Sequence, residues 1–309
     1  MPARPFCRWK RGRKSIKKAF SFCPMRILCY LCTVLFLKKT FAMKKVLFLV
    51  MMLSGSLMMW AQQRTVVLDA PGTLASKLPQ GERAAVTSLK VSGPLNGSDV
   101  LVLREMAKAH LAEIDMSDAS IVEGGSCYFP VGSDQDAYTQ ADRFSTRFFY
   151  GCTALRSVTL PSTLTSVSND AFSNCPSLKE ILVSGSDYFT SVDGILFNAS
   201  MERLVRCPQA KQIENYEVPR GVMEIYPGAF RDVKTLKTVS FPASIWSISD
   251  FSFYGCPLQT IRCAMTRASI GMAFDERTQG SARVIVPSGS ASDFKSVEGW
   301  NKFKNIVEE

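Results

Sequence analysis

Two stretches of this chain are written to one pattern: FYGCTALRSVTLPSTLTSVSNDAF at 149–172 and FRDVKTLKTVSFPASIWSISDFSF at 230–253. With the first Phe as position zero, apolar residues or Pro follow at +6, +9, +11, +12, +15 and +18, and the next Phe falls at +23. In the first copy these are Phe149, Leu155, Val158, Leu160, Pro161, Leu164, Val167 and Phe172. In the second they are Phe230, Leu236, Val239, Phe241, Pro242, Ile245, Ile248 and Phe253. Between those places the residues differ freely. A fixed period in the twenties predicts a solenoid, in which inward side chains recur at each coil while outward ones vary.

The local pattern fills in the coil. Positions +9 and +11 alternate with +8 and +10, the two-residue period of a strand. The Pro at +12 has no amide hydrogen to give a ladder and ends that strand. One coil buries too few side chains to stand alone, so neighbouring coils must share a core. The four rings of Phe149, Phe172, Phe230 and Phe253 are expected to line up in a single buried column.

Two units are partial. From Phe172 the pattern runs through Leu178, Ile181 and Val183 and breaks; it resumes at Ile213, Tyr216, Val218, Pro219, Val222 and Ile225. Between them lies YFTSVDGILFN at 188–198. An Asp-Gly between two β-prone runs predicts a hairpin inserted at about 184–206. After Phe253 a one-residue deletion shifts the register to Leu258, Ile261 and Cys263.

The ends differ from the middle. In 62–143, Leu89 and Val91 precede Ile114 and Met116 by one longer coil of 25 residues. Between them Ser98 is placed to cap a helix carrying Leu101, Val102 and Met106, giving a helix-containing N-terminal cap. The Gly-rich stretch at 122–142 reads as an extended loop. Residues 284–309 read as a strand followed by a helix capped by Ser290 or Ser292. Trp300, Phe303 and Ile306 fall at helical spacing there, and this end would cover an open strand edge.

The units FYGCTALRSVTLPSTLTSVSNDAF and YEVPRGVMEIYPGAF closely resemble the BspA-like class of bacterial leucine-rich repeats, and VDGILFN…LVRCP…YEVPRGV is similar to an interruption common in that class. The resemblance is strong over 144–263 and extends to most of 64–309. It implies a repeat β-solenoid of leucine-rich-repeat type, mostly β with short helices, and right-handed, with repeats over 144–283. It also implies an exported protein of the cell surface, the extracellular space or the periplasm. Adhesion or binding of a host-derived ligand is the role it suggests.

The net charge of +10 would suggest a nucleic-acid partner, but residues 1–45 hold 13 Lys or Arg and no acid, leaving −3 for the rest. From Met43, MKKVLFLVMMLSGSLMMWAQQ has the basic start, apolar core and small residue of a signal peptide at 43–61. Residues 1–42, with a second apolar run at 25–39, read as an upstream mis-start or an extra leader. A membrane enters only through that export signal or an uncleaved leader.

Chemistry-bearing residues are few. Cys152, Cys175 and Cys256 share position +3 with Val233, which marks a small buried apolar site. Cys207 and Cys263 also fall at places expected to be buried, and Cys127 stands alone in the Gly-rich stretch. The single histidine, His110, is read as structural. Asp134 and Asp136 are a weak calcium pair. No phosphate loop, nucleophile elbow or His-based zinc motif occurs, and neither cofactor nor metal is expected.

The candidate ligand face is the outward side of the +8 to +10 strands: Ser157, Thr159, Glu180, Asn215, Glu217, Thr238, Ser240, Thr260 and Arg262. An ordinary solvated sheet face is the plainer account of them. Tyr226 and Trp246 lie at outward-leaning positions. The expectation is a non-catalytic binding or adhesion protein for protein or glycan ligands. The alternatives are a secreted hydrolase or carbohydrate-processing accessory on a solenoid scaffold, and a structural envelope protein.

Overall fold

The computed structural model describes residues 62–132 and 136–309. The leader readings of 1–42 and 43–61, and Asp134, lie outside the described residues.

The chain opens with β1 (Gln62–Val67), two short helices α1 (Leu74–Lys77) and α2 (Gln80–Arg83), β2 (Val86–Leu95), α3 (Gly97–Ala109) and β3 (Glu113–Asp115). β1, β2 and β3 are parallel neighbours, and Leu89 pairs in register with Ile114. α3 starts two residues earlier than the sequence reading: its cap is Asn96, not Ser98. Asn96 has extended backbone, so its Oδ1 accepts the Ser98 amide at 3.0 Å while the Asp99 carboxylate accepts the Asn96 amide at 3.0 Å. Ser98 already lies inside the helix, where a side chain no longer reaches the orphan amides.

β4 (Ala119–Ile121) pairs with the far end of β2. The described parts of 122–142 do not form an extended loop. They fold into an antiparallel hairpin of β5 (Gly124–Phe129) and β6 (Ala137–Thr139) laid against the start of α3, where the Ser126 amide donates to Ser98 Oγ at 3.0 Å. Two glycines allow the close approach: a Cβ on Gly97 would lie 2.0 Å from the Ser126 carbonyl oxygen, and one on Gly125 2.5 Å from Asn96 Oδ1.

The regular coils follow. β7 (Arg143–Phe144), β8 (Ser157–Thr159), β9 (Ser166–Val167) and β10 (Glu180–Leu182) make up the first group. β11 (Phe189–Val192), β12 (Ile195–Asn198) and β13 (Arg203–Arg206) form the inserted stretch. Then come β14 (Asn215–Glu217), β15 (Glu224–Ile225), β16 (Thr238–Phe241), β17 (Ser247–Ile248), β18 (Thr260–Cys263) and β19 (Ser269–Ile270). The chain ends with α4 (Glu276–Ser281), β20 (Arg283–Val286), α5 (Ala291–Ser296) and β21 (Asn305–Glu308). The regular coils up to β19 contribute strands to each of two faces. The first face holds β1-β2-β3-β8-β10 and, separately, β14-β16-β18-β20-β21; the second holds β7-β9 and the sheet β11-β12-β13-β15-β17-β19. The architecture is a leucine-rich-repeat solenoid, mostly strand with few short helices.

Local chemistry repeats with the coil. Position +2 lies in the left-handed region at Gly151 (φ 72°), Asn174 (56°), Asp232 (63°) and Gly255 (76°), the residue types that tolerate it. After each strand the Pro at +12 accepts a turn amide: Leu164 to Pro161, Val222 to Pro219 and Ile245 to Pro242, all at 3.2 Å. Inside, Phe149, Leu155, Val158, Leu160, Phe172, Leu178, Ile181, Phe230, Leu236, Val239, Phe241 and Phe253 are each at most 2% exposed. Position +3 does more than fill space. The Cys175 thiol donates to the Phe149 carbonyl, and the Cys256 thiol to the Phe230 carbonyl, each at 3.0 Å.

The four phenylalanines do not form one column. Phe149 and Phe172 stack at 5.9 Å in one core, and Phe230 and Phe253 at 4.9 Å in another, where Phe274 continues the stack at 5.2 Å. The insert is the cause. It carries three strands rather than a simple hairpin, β11 and β13 flanking β12 antiparallel. Leu196 and Val205 join the first core, while Ile195, Phe197 and Leu204 join the second. The sheet is thus apolar on both sides and stands between the two cores. At the level between Phe172 and Phe230 the chain places Cys207, whose amide donates to Ala229 as that of Phe230 does to Ser252.

Two buried arginines stand where a run of regular coils begins. Arg206 donates to the Phe172 carbonyl (3.2 Å) on one side of the insert and to the Gly228 carbonyl (2.7 Å) on the other. Arg104, from α3, donates to the carbonyls of Arg147, Phe148 and Tyr150 at the first coil's turn. Each supplies the donors that an adjoining regular coil would have provided.

The C-terminal end departs from a single helix. α5 ends at Ser296, Trp300–Lys302 form a short 3₁₀ turn, and Ile306 lies in β21, parallel to β20. Trp300, Phe303 and Ile306 are all buried, but against the last coil by separate elements. The terminal strand extends the first-face sheet instead of covering its edge.

Candidate functional groove

The outward strand residues separate into two groups. Ser157, Thr159 and Glu180 lie in the N-terminal first-face sheet; Asn215, Glu217, Thr238, Ser240, Thr260 and Arg262 lie in the C-terminal one. In register they form columns, Asn215–Thr238–Thr260 and Glu217–Ser240–Arg262. Between the groups stands the tip of the insert. Its Asp193-Gly194 turn has φ of 50° and 71°, the doubly positive geometry of a tight hairpin, and the Gly194 carbonyl accepts the Ile181 amide at 2.9 Å. The nine residues therefore do not make one continuous surface. Arg262 is tied to Glu309 at 2.9 Å.

The same interruption opens a groove on the second face. A depression of about 670 Å³ lies between β9 and β15, roofed on one side by the β5–β6 hairpin, and its wall includes Tyr138, Arg143, Ser166, Ser168, Glu224 and Tyr226. A narrower arm of about 230 Å³ shares Ser166, Val167 and Tyr226 with it and adds Tyr188, Asn198 and Arg203. Tyr138 and Tyr188 each leave 52% of their surface exposed. Three phenol rings thus border one polar trough, a composition suited to recognition because each ring offers an apolar face and a hydrogen-bonding tip.

The groove's charges are partly committed. Arg203 pairs with Glu224 at 2.9 Å, and Asp136 accepts the amides of Val131 and Gly132 at 2.7 and 3.0 Å. Arg147 pairs with Asp170 nearby, whereas Arg143 has no acidic partner among the described residues. Of the aromatics considered from sequence, Tyr226 belongs to the groove and Trp246 stands 57% exposed on the second face away from it. Sequence reasoning missed Tyr138, Tyr188 and Arg143. The signal was positional, since Tyr138 and Tyr188 fall in the two stretches that break the repeat.

The five buried thiols are held in the protonated form. Burial pushes Cys152 and Cys256 up to about 12 and Cys175 up to about 11, and raises Cys207 and Cys263 as well. Only Cys127 is partly exposed among the described cysteines. His110 Nε2 is hydrogen-bonded to the Arg83 carbonyl at 2.7 Å within the N-terminal cap.

The coil geometry defines a leucine-rich-repeat protein. The BspA type leucine rich repeat region matches in six copies over residues 139–216 and 206–288, so the repeat region belongs to that family. No curated protein matches the chain. Among solved structures it is similar to the pneumococcal vaccine antigen PcpA, at 13% identity over 72% of this chain and 68% of that one, TM-score 0.41. A leucine rich cell surface protein from Faecalibacterium prausnitzii matches at 17% identity over 79% of each chain, TM-score 0.41. A leucine-rich repeat protein from Eubacterium ventriosum matches at 14% over 74% of each, TM-score 0.42. Among the described residues no helix is long and apolar enough to cross a membrane.

Proposed function

We propose that this is an exported, non-catalytic binding protein whose solenoid holds a recognition groove for a protein or glycan ligand, used at the cell surface or beyond it. The observation that carries the reading is the tyrosine-bordered groove at the interruption of the coils. The two carboxylates in its wall, Asp136 and Glu224, are each engaged by structural partners, which favours binding over general acid–base work. The negative balance of residues 46–309 disfavours nucleic acid as the ligand.

The test is a combined protein and glycan array probed with the purified protein and with a variant carrying Tyr138→Ala, Tyr188→Ala and Tyr226→Ala. Specific binding that the variant loses supports the reading. No binding by the native protein, or equal binding by both, overturns it. Cell fractionation with N-terminal sequencing of the mature chain tests export: a chain beginning near Gln62 outside the cytoplasm supports it, and an intact Met1 inside the cell overturns it.

A further inference from the structure

The groove exists because one rung of the second-face ladder is missing. Along that face each coil donates amides to carbonyls of the coil before. Thr165 and Ser168 donate to Asp142 and Phe144 at 2.8 Å, Ser249 to Ile225 at 3.0 Å, Ser269 to Trp246 at 2.9 Å and Gly271 to Ile248 at 3.0 Å. Counting one coil on from Asp142 and Phe144, the carbonyls of Thr165 and Val167 should receive the next pair. They do not. The strand that follows in the array, β13, gives its edges to β12 and β15, and β9 pairs with β7 alone. Among the described residues no backbone amide reaches those two carbonyls, and Thr165, Ser166 and Val167 form the wall of the narrow arm.

An open strand edge beside a trough is a template for an added strand. We propose that the groove takes an extended peptide segment of a protein partner, laid along β9 so that two alternate peptide amides donate to the carbonyls of Thr165 and Val167 and an acidic side chain is received by Arg143. The carbonyls sit two residues apart, about 6.6 Å along a strand, and alternate amides of an extended peptide repeat at the same spacing. Sugar hydroxyls have no such fixed repeat of donors. Tyr138, Tyr188 and Tyr226 then pack on the peptide's side chains, the residue type enriched at protein interfaces. Arg143 supplies a planar donor fork for a carboxylate. This rests on the groove being a binding site, and it names the ligand that site accepts.

The experiment is selection of a phage-displayed random dodecapeptide library on the purified protein, followed by N-methyl scanning of the selected peptides. Enriched peptides carrying Asp or Glu support the proposal when N-methylation at two alternate positions weakens binding about tenfold or more and leaves the position between them unaffected. Arg143→Met should remove the acidic preference, and Tyr138→Ala with Tyr188→Ala should weaken every selected peptide; these three side chains are exposed, so the variants should keep the native circular dichroism, whereas Tyr226, which packs against both cores, is left in place. A flat N-methyl scan, peptides indifferent to Arg143→Met, or a library that yields no groove-dependent binder overturns the proposal. If the array finds a glycan whose binding the tyrosine variant abolishes, the binding role stands and the peptide ligand is wrong. If the array is silent, both fall.

Discussion

The coil at 149–172 and the coil at 230–253 are near copies in sequence and in local structure, yet they end differently. Both place a thiol of the following coil 3.0 Å from the first phenylalanine's carbonyl, and both turn on the same Pro-led geometry. After Phe253 the array continues into Phe274, with rings 5.2 Å apart. After Phe172 it meets the insert, the column stops, and a strand edge is left open. The repeat therefore writes the coil, while the departures from it decide where a surface is left unsatisfied and available for contact.

The largest expected effect falls on the residue that spans this difference. Arg206 is 3% exposed and holds a carbonyl of each half. Arg206→Ala leaves the Phe172 carbonyl without a donor, leaves the Gly228 carbonyl only the Arg231 amide, and opens a cavity, at a cost of about 4 kcal/mol. Arg104→Ala should cost a similar amount but loosen the first core alone. Native-state hydrogen exchange reads the distinction: the Arg206 variant should lose protection on both sides of the insert, and the Arg104 variant only near residues 144–182. Equal patterns in the two variants would remove the claim that Arg206 couples the halves.

A smaller break is available at the tip of the insert. Gly194 has φ 71°, and a Cβ there would lie 2.7 Å from the Glu180 Cβ. Gly194→Val should destabilise by about 2–3 kcal/mol through left-handed strain and that clash. Gly221, with φ 95° and open space around it, is the matched site in the regular part, where the same substitution meets strain without a clash and costs less. Denaturant midpoints of the two variants would rank them.

What the sequence disclosed follows the same line. The positions that recur, from Phe149 to Phe253, specify buried residues by spacing alone, because stacking demands the same inward group at each level. The Asp-Gly at 193–194 disclosed a turn, because few dipeptides accept two positive φ angles. It did not disclose that Leu196 and Phe197 would face different cores, since alternation in a short apolar run looks the same for one buried face or two. Phe274 was legible in retrospect: Ala-Phe occurs at 171–172, 229–230 and 273–274, each time at the start of a coil. The groove was the least legible feature. Tyr138, Arg143, Tyr188 and Tyr226 come from different coils and from non-repeating stretches, and only the missing rung brings them around one trough.

The thiol contacts allow the comparison to be sharpened where the two coils agree. Val233 shows that valine fits position +3, so Cys175→Val and Cys256→Val keep the packing and remove only the S–H donor. Each should cost about 1 kcal/mol, and the two should be equal. The pH dependence has a fixed sign. Burial raises the folded thiols from an ordinary 9.0 to about 11 and about 12, so their contribution is complete below pH 9 and lost as pH climbs through 11–12. Both variants should flatten the alkaline fall in stability measured between pH 8 and 10.5. An unchanged slope would mean that other groups set it.

The smallest effect is expected at the one aligned position where the coils diverge in backbone. Phe251 stands at +21 of the second coil with φ 57° and is 39% exposed; its counterpart Asp170 has no such strain and instead binds Thr146 Oγ1 at 2.7 Å and the Arg147 amide at 3.0 Å. A bulky residue held in the left-handed region costs on the order of 1 kcal/mol, and here little is recovered: an edge contact to Tyr254 at 5.9 Å and the Arg231 guanidinium 5.8 Å from the ring. Asn tolerates the backbone and gives up those contacts, so Phe251→Asn should stabilise by about 0.5 kcal/mol, visible as a small rise in Tm. A loss of stability would show that the ring contacts outweigh the strain. Phe251→Leu separates the two: it keeps the strain and loses the ring, and should be the least stable of the three proteins.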